Sequence, residues 1–103
     1  MDWLIYLACF AGGAFLVNGI PHFVAGLSGR KFHSPFAKPA VKGLSSAVVN
    51  VIWGFVNFII AYALLKWAGA FDFAFNLKTL LIGVAGLITA LILASIFSGL
   101  DKD

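Results

Sequence analysis

The chain has 103 residues, of which 62% are hydrophobic and only 11% are charged. Soluble domains carry about 25% charged residues, because their surfaces face water. This composition therefore excludes an ordinary soluble domain, and the same hydrophobicity excludes an intrinsically disordered chain. The length predicts a single domain over residues 1–103, and the mean hydropathy of +1.03 favours a domain embedded in lipid.

The net charge of +3 does not indicate nucleic-acid binding. The cations lie at the ends of apolar segments, where Lys and Arg orient a chain in the membrane and meet anionic lipid. Cys9 is the only cysteine, which excludes an intrachain disulfide, and it is expected to pack as a small apolar residue.

The first predicted element is a transmembrane helix over residues 3–27, which contain no charged side chain. About 20 residues suffice to cross the hydrocarbon layer, so this helix is longer than it needs to be. Pro21 removes a backbone hydrogen bond, and we expect the helix to be kinked or broken near it. Because Asp2 is the only charge ahead of the span, a basic signal-peptide start is missing and the span is expected to stay in the mature protein.

The next segment, residues 28–43, is a basic loop with no acidic residue. Its cations are Arg30, Lys31, Lys38 and Lys42. The positive-inside rule places this loop in the cytoplasm. Two interpretations stay open: the cations determine topology alone, or they also bind anionic lipid headgroups or a partner protein. Each cation near an anionic surface contributes about 1 kcal/mol to such binding.

Two further transmembrane helices are predicted at about residues 44–67 and 77–98, joined by a turn at 69–76 that makes them antiparallel neighbours. The protein is thus predicted to be an all-α integral membrane protein with three spans. The expected location is the cell inner membrane, with the N-terminus outside and the C-terminus, residues 101–103, in the cytoplasm. Aromatic residues that favour the interface gather at the outer level: Trp3, Tyr6, Tyr62, Trp67, Phe71, Phe73 and Phe75.

Small residues recur on one face of every span. They are Gly12, Gly19 and Gly26 in the first span and Gly86, Ala90, Ala94 and Ser98 in the third, and Ser46, Asn50 and Gly54 form the corresponding face of the second. Helices in lipid associate largely through close packing of such faces. The stripe on the third helix is expected to face either the other two helices or another chain.

Among the polar residues of the predicted spans, we single out five as candidates for interhelical contacts or a polar path: Asn18, His22, Asn50, Asn57 and Thr89. Depth counted from the ends of the spans predicts two interhelical pairs, Asn18 with Asn50 and Asn57 with Thr89. Such bonds contribute only about 0.6 kcal/mol each and mainly fix register. Alternatively, the asparagines and His22 line a path for a small solute or ion between several copies of the chain.

No catalytic constellation is present, because the sequence lacks an acid pair within a span, a phosphate-binding loop and a Ser-His-Asp set. His22 and His33 have no acid or thiol near them in the sequence, which is a weak signal for a metal. A single helical histidine likewise does not indicate a tetrapyrrole. We therefore expect no enzymatic activity, no cofactor and no metal.

The preferred functional prediction is a small polytopic inner-membrane protein that acts by helix–helix association. Its expected partners are membrane lipid and either copies of itself or a larger membrane complex in which it is an accessory subunit. The alternative is a minimal oligomeric transporter or channel.

Overall fold

The computed structural model describes residues 2–100. Within them lie three helices, α1 (Trp3–Leu27), α2 (Ala47–Trp67) and α3 (Leu77–Leu100). Each helix is long and apolar enough to cross a membrane, which confirms the predicted all-helical architecture with three candidate spans. Residues 101–103, predicted to be cytoplasmic, lie outside the described residues.

Helix α1 continues without interruption through Pro21, so it is not broken there. The kink stays a prediction. The helix ends where Gly29 takes a φ of +76°. The N–H of Gly29 then bonds the carbonyl of Gly26, and the N–H of Arg30 bonds that of Ala25. This is a Schellman motif, which satisfies the last carbonyls of a helix and suits glycine because it has no Cβ.

Helix α2 begins later than the sequence predicts, because residues 44–45 belong to a strand. Strands β1 (Phe32–His33) and β2 (Leu44–Ser45) pair in an antiparallel arrangement at the two ends of the basic loop. Ser46 then caps α2 by accepting a hydrogen bond from the N–H of Val49. This short strand pair was not predicted, since two residues are too few to show an alternating pattern.

Both α2 and α3 pack on α1 and make little contact with each other. The expectation that the last two helices are antiparallel neighbours is therefore wrong. The reason lies in two adjacent glycines of α1. A Cβ at Gly12 would collide with Leu65 of α2, whereas a Cβ at Gly13 would collide with the backbone carbonyl of Ile82 of α3. Small residues on two sides let α1 approach both neighbours closely.

Helices α1 and α2 approach each other closely where Gly19 meets Gly54. A Cβ on Gly19 would lie 2.8 Å from the carbonyl oxygen of Gly54, and a Cβ on Gly54 would lie 2.9 Å from that of Gly19. The approach is closer still at Gly26, where a Cβ would lie 2.5 Å from the carbonyl oxygen of Ala47. The two backbones thus touch along one face, and any larger side chain would push the helices apart.

The small-residue stripe of α3 is only partly covered. Gly86 is buried against Val17 of α1, whereas Ala90, Ala94 and Ser98 are exposed. At the turn end of the bundle, small and aliphatic side chains form a buried core. Its residues are Ala8, Cys9, Leu65, Ala68, Ala70 and Ile82.

We expect Gly13→Ala to destabilise the protein by about 1–3 kcal/mol, because the added methyl group overpacks the α1–α3 contact. Gly83→Ala is the matched control, since a Cβ there meets nothing within 4 Å. It is expected to be neutral or to stabilise by up to about 1 kcal/mol through helix propensity. Denaturant unfolding in micelles measures both, and equal stability of the two variants would contradict this packing.

Candidate functional site

The candidate site lies where the second half of α1, the first half of α2, the end of α3 and the basic loop meet. Two side-chain pairs join α1 to α2 there. Asn18 Nδ2 donates to Asn57 Oδ1 at 2.9 Å, and His22 Nδ1 lies 3.0 Å from Asn50 Oδ1. The sequence prediction thus selected residues that the structure brings together, but assigned them to the wrong partners.

Helix register explains the different pairing. In an antiparallel pair, each step forward along α1 is matched by a step back along α2. The crossing of Gly19 with Gly54 fixes that correspondence and places Asn18 opposite Asn57. The predicted pair of Asn18 with Asn50 would require α2 to slide by about two helical turns.

Asn50 is the centre of the polar contacts and is fully buried. Its Nδ2 lies 3.0–3.3 Å from three backbone carbonyl oxygens, those of Phe32, Ser45 and Ser46. Because carbonyls only accept, these contacts fix the amide orientation and turn Oδ1 toward His22. The His22 Nδ1 must then carry the proton and donate it. Asn50 therefore ties α1, α2 and both strands of the loop together.

Asn57 is also fully buried. Besides accepting from Asn18, it donates from Nδ2 to the carbonyl of Trp53 at 2.8 Å. Thr89 does not pair with Asn57 as predicted. It lines a groove of about 300 Å³ between α1 and α3, which also borders Asn18. Thr89 cannot reach Asn57 because α3 packs on α1 rather than on α2.

The basic loop is folded rather than extended. The hydroxyl groups of Ser34 and Ser45 are hydrogen-bonded, and Ser34 Oγ also accepts from the N–H of Phe36. His33 Nδ1 lies 3.1 Å from the carbonyl oxygen of Gly43, so it must donate. These bonds satisfy the polar groups that the loop buries.

Aromatic contacts hold the loop against the bundle. His33 stacks on Phe97 of α3, with ring centroids 5.6 Å apart and an interplanar angle of 14°. The ring centroid of Phe32 lies 4.8 Å from that of Phe97. Phe36 meets Trp53 of α2 edge-on, with ring centroids 5.2 Å apart. The cations of the loop stay exposed: Arg30, Lys31, Lys38 and Lys42.

A cavity of about 150 Å³ lies beneath the folded loop. Polar wall residues come from every part of the site: Asn18, His22, His33, Ser34 and Trp53. The Trp53 Nε1 atom is buried and has no hydrogen-bond partner in the part of the chain that the structure describes. Among residues 2–100, no three potential metal ligands of the His, Cys, Asp or Glu type lie together. The cavity is therefore lined by polar and aromatic side chains rather than by a set of metal ligands.

Sequence reasoning missed several residues of this cavity, above all His33, Ser34 and Phe97. The serine and histidine lie in the basic loop, whose predicted roles rested on its cations, and nothing in the sequence placed this loop against the polar residues of the helices. Nothing in the sequence distinguished Phe97 from the other apolar residues of α3, because this helix is apolar on nearly every side. The sequence did indicate a role for Trp53, because it lies beside the helix face shared by Asn50 and Asn57.

No protein-family model, no curated protein and no solved structure matches this chain.

We expect Asn50→Leu to free the loop, because it removes the bonds that hold both strands. Limited trypsin digestion should then cleave faster at Arg30, Lys31 and Lys42, with stability lowered by about 1–3 kcal/mol. Asn57→Leu is the matched control, since Asn57 is equally buried but does not bond the loop. Its cleavage rate should stay at the wild-type level. Equal acceleration in both variants would contradict a specific role for Asn50.

Proposed function

We propose that this chain is a multi-pass inner-membrane protein that acts by helix–helix association, as a homo-oligomer or as an accessory subunit of a larger membrane complex. The observation that carries the proposal is the incomplete packing of α3. This helix contacts α1 with one side, and only Ile82, Ala85 and Gly86 are buried in it.

Small side chains on the open side of α3 support this proposal. Ala90, Ala94 and Ser98 are exposed and lie four residues apart, so they follow one another along the helix surface. Against lipid tails, small side chains give less contact than Leu or Ile. Against another helix they permit backbones to approach, which is how membrane helices associate.

The orientation belongs to the same proposal. The loop end, with its four exposed cations, would face the cytoplasm and meet anionic headgroups. The opposite end carries exposed Trp3 and Trp67. There Tyr62 and Phe71 also pack edge-on with centroids 4.9 Å apart. Tyrosine and tryptophan favour the interface between membrane and water, because their rings have an apolar body and a polar edge.

Transport through an oligomeric path is the second candidate, and the polar cavity is the observation that favours it. The path would be lined by Asn18, His22, Asn50 and Asn57 from several copies. However, Asn50 and Asn57 are fully buried and hydrogen-bonded within one chain. This bonding supports a structural role, since a path would have to break these bonds to expose the amides.

We expect Ala94→Trp to reduce assembly, because a large ring at an exposed small position prevents close helix approach. Ile92→Trp is the control, since Ile92 is exposed, is already large, and lies about 160° around the helix from Ala94. Cross-linking in native membranes, followed by mass measurement, reports stoichiometry and partners. Assemblies that are unchanged by Ala94→Trp, or a chain that is monomeric throughout, would contradict the proposal.

Labelling of single cysteines tests the orientation in a Cys9→Ser background. We expect Ala74→Cys, in the α2–α3 turn, to react with an impermeant maleimide added to intact cells. Lys31→Cys should react only after the membrane is permeabilised. Both positions are exposed, so neither label is blocked by packing. The reverse labelling pattern would show that the loop is outside.

A further inference from the structure

We propose that the turn at residues 36–43 of the basic loop binds one anionic phospholipid, with Lys38 and Lys42 at its phosphate. The acyl chains of this lipid lie against the exposed apolar face of α2. The inference rests on the proposed membrane setting of the loop, but it does not require that the chain associates with other chains.

Charge is distributed unevenly between the two ends of the bundle. Residues 28–43, together with the tail 101–103 that follows α3, include five cations and two acids. Residues 1–2 and 66–78, at the opposite end, include two cations and two acids. The loop end therefore attracts anions, whereas the charges of the opposite end are balanced. An anionic phospholipid complements the loop end alone.

The fold places two of the loop cations beside one closed turn. A Cβ at Gly43 would lie 2.6 Å from the carbonyl oxygen of Lys38, so these two backbones are in contact. The N–H of Gly43 also donates to the carbonyl of Pro39 at 2.8 Å. Because Lys42 precedes Gly43, both lysines border this turn, and both are exposed. Like charges in one turn repel each other, and a phosphate shared by the two lysines offsets that repulsion.

Apolar side chains lie among these cations. Val41, between Lys38 and Lys42 in the turn, is 39% exposed, and Phe36 is 61% exposed. Val41 also has a φ of +67°, which is rare for a β-branched residue, and its N–H donates to the carbonyl of Ser34 at 2.8 Å. Strained residues of this kind are concentrated at functional sites. A ligand with both a negative charge and an apolar part matches this turn.

The exposed face of α2 offers a surface for an acyl chain. Its large apolar residues recur three or four positions apart, so they follow one another along one side of the helix: Val48, Ile52, Phe55 and Ile59. This row begins in the first turn of α2, next to strand β2 of the loop. The row is about 16 Å long at 1.5 Å per residue. One leaflet of the hydrocarbon layer is about 15 Å thick, so the row matches the depth that one acyl chain occupies.

The other two loop cations contribute less to such a site. The N–H of Arg30 donates to the carbonyl of Ala25, so Arg30 and Lys31 lie at the carboxyl end of α1. The partial negative charge of that helix end attracts the two cations and repels a phosphate. No helix ends next to Lys38 or Lys42 in the sequence, so their charges are available to a headgroup.

The test uses the full chain purified in an uncharged detergent, with dioleoylphosphatidylglycerol as the probe. Native mass spectrometry counts the lipids bound to each chain. The same spectra report the number of chains in each particle, so a failure of lipid binding is distinguishable from a failure of association. We expect one bound phosphatidylglycerol per chain, with affinity about tenfold higher than for dioleoylphosphatidylcholine, which has the same acyl chains.

Three outcomes of this titration would overturn the proposal. Equal affinity for the two lipids would show that the charge of the headgroup is not recognised. Displacement of the lipid by an equal concentration of glycerol phosphate would show a site for a soluble phosphate. Displacement by a hexaglutamate peptide would show a site for an acidic protein segment.

Two double variants of equal charge test the location. Lys38→Gln combined with Lys42→Gln should weaken phosphatidylglycerol binding by about tenfold to thirtyfold, because each cation near an anionic headgroup contributes about fivefold. Arg30→Gln combined with Lys31→Gln removes the same charge from the same loop, and we expect a loss of about threefold or less. Equal losses in the two double variants would show attraction to the whole basic surface and would overturn the site.

A variant without a change in charge tests the turn itself. Gly43→Ala places a methyl group against the backbone of Lys38 and should weaken phosphatidylglycerol binding, although every cation remains. Gly83→Ala is the matched control, because a Cβ there meets nothing within 4 Å, and its affinity should equal that of the wild type. Wild-type affinity in Gly43→Ala would contradict a site built by the turn.

Discussion

The close approach of α1 to both of its neighbours is the contact on which the rest of the structure depends. Gly19 and Gly54 bring two backbones together, and Gly13 brings α3 against another side of α1. In lipid, hydrophobic burial contributes little to holding helices together, so such backbone contacts carry the association. Larger residues at these positions would separate the helices and remove the register that aligns their polar side chains.

Register then determines the polar contacts, and these determine the loop. Once Gly19 lies on Gly54, His22 falls opposite Asn50, whose amide also reaches the carbonyls of both loop strands. The folded loop in turn sets its aromatic rings on Phe97 at the end of α3. The loop thus connects α2 to α3, which barely touch each other directly, and encloses the cavity between them.

The three helices were predictable as candidate membrane spans, because crossing a membrane requires a minimum length and apolarity. The hydrogen-bond partners of the polar residues could not be predicted in the same way. Their depth in the membrane was counted from the expected ends of the helices. Helix α2 begins at Ala47 rather than near residue 44, and register depends on where glycines touch. The central place of α1 was also missed. The sevenfold glycines indicate one contact face, and only Gly13, beside Gly12, reveals the second.

The most direct test of the central place of α1 is disulfide cross-linking in bilayers, in a Cys9→Ser background. A Cβ at Gly86 would lie 3.0 Å from Val17 Cγ2. Cysteines at positions 17 and 86 are therefore within the range for a disulfide. We expect rapid cross-linking of this pair within one chain. We expect little cross-linking of cysteines at positions 16 and 86, because Leu16 faces outward. Failure of the 17–86 pair to link, or links formed only between chains, would contradict the central place of α1.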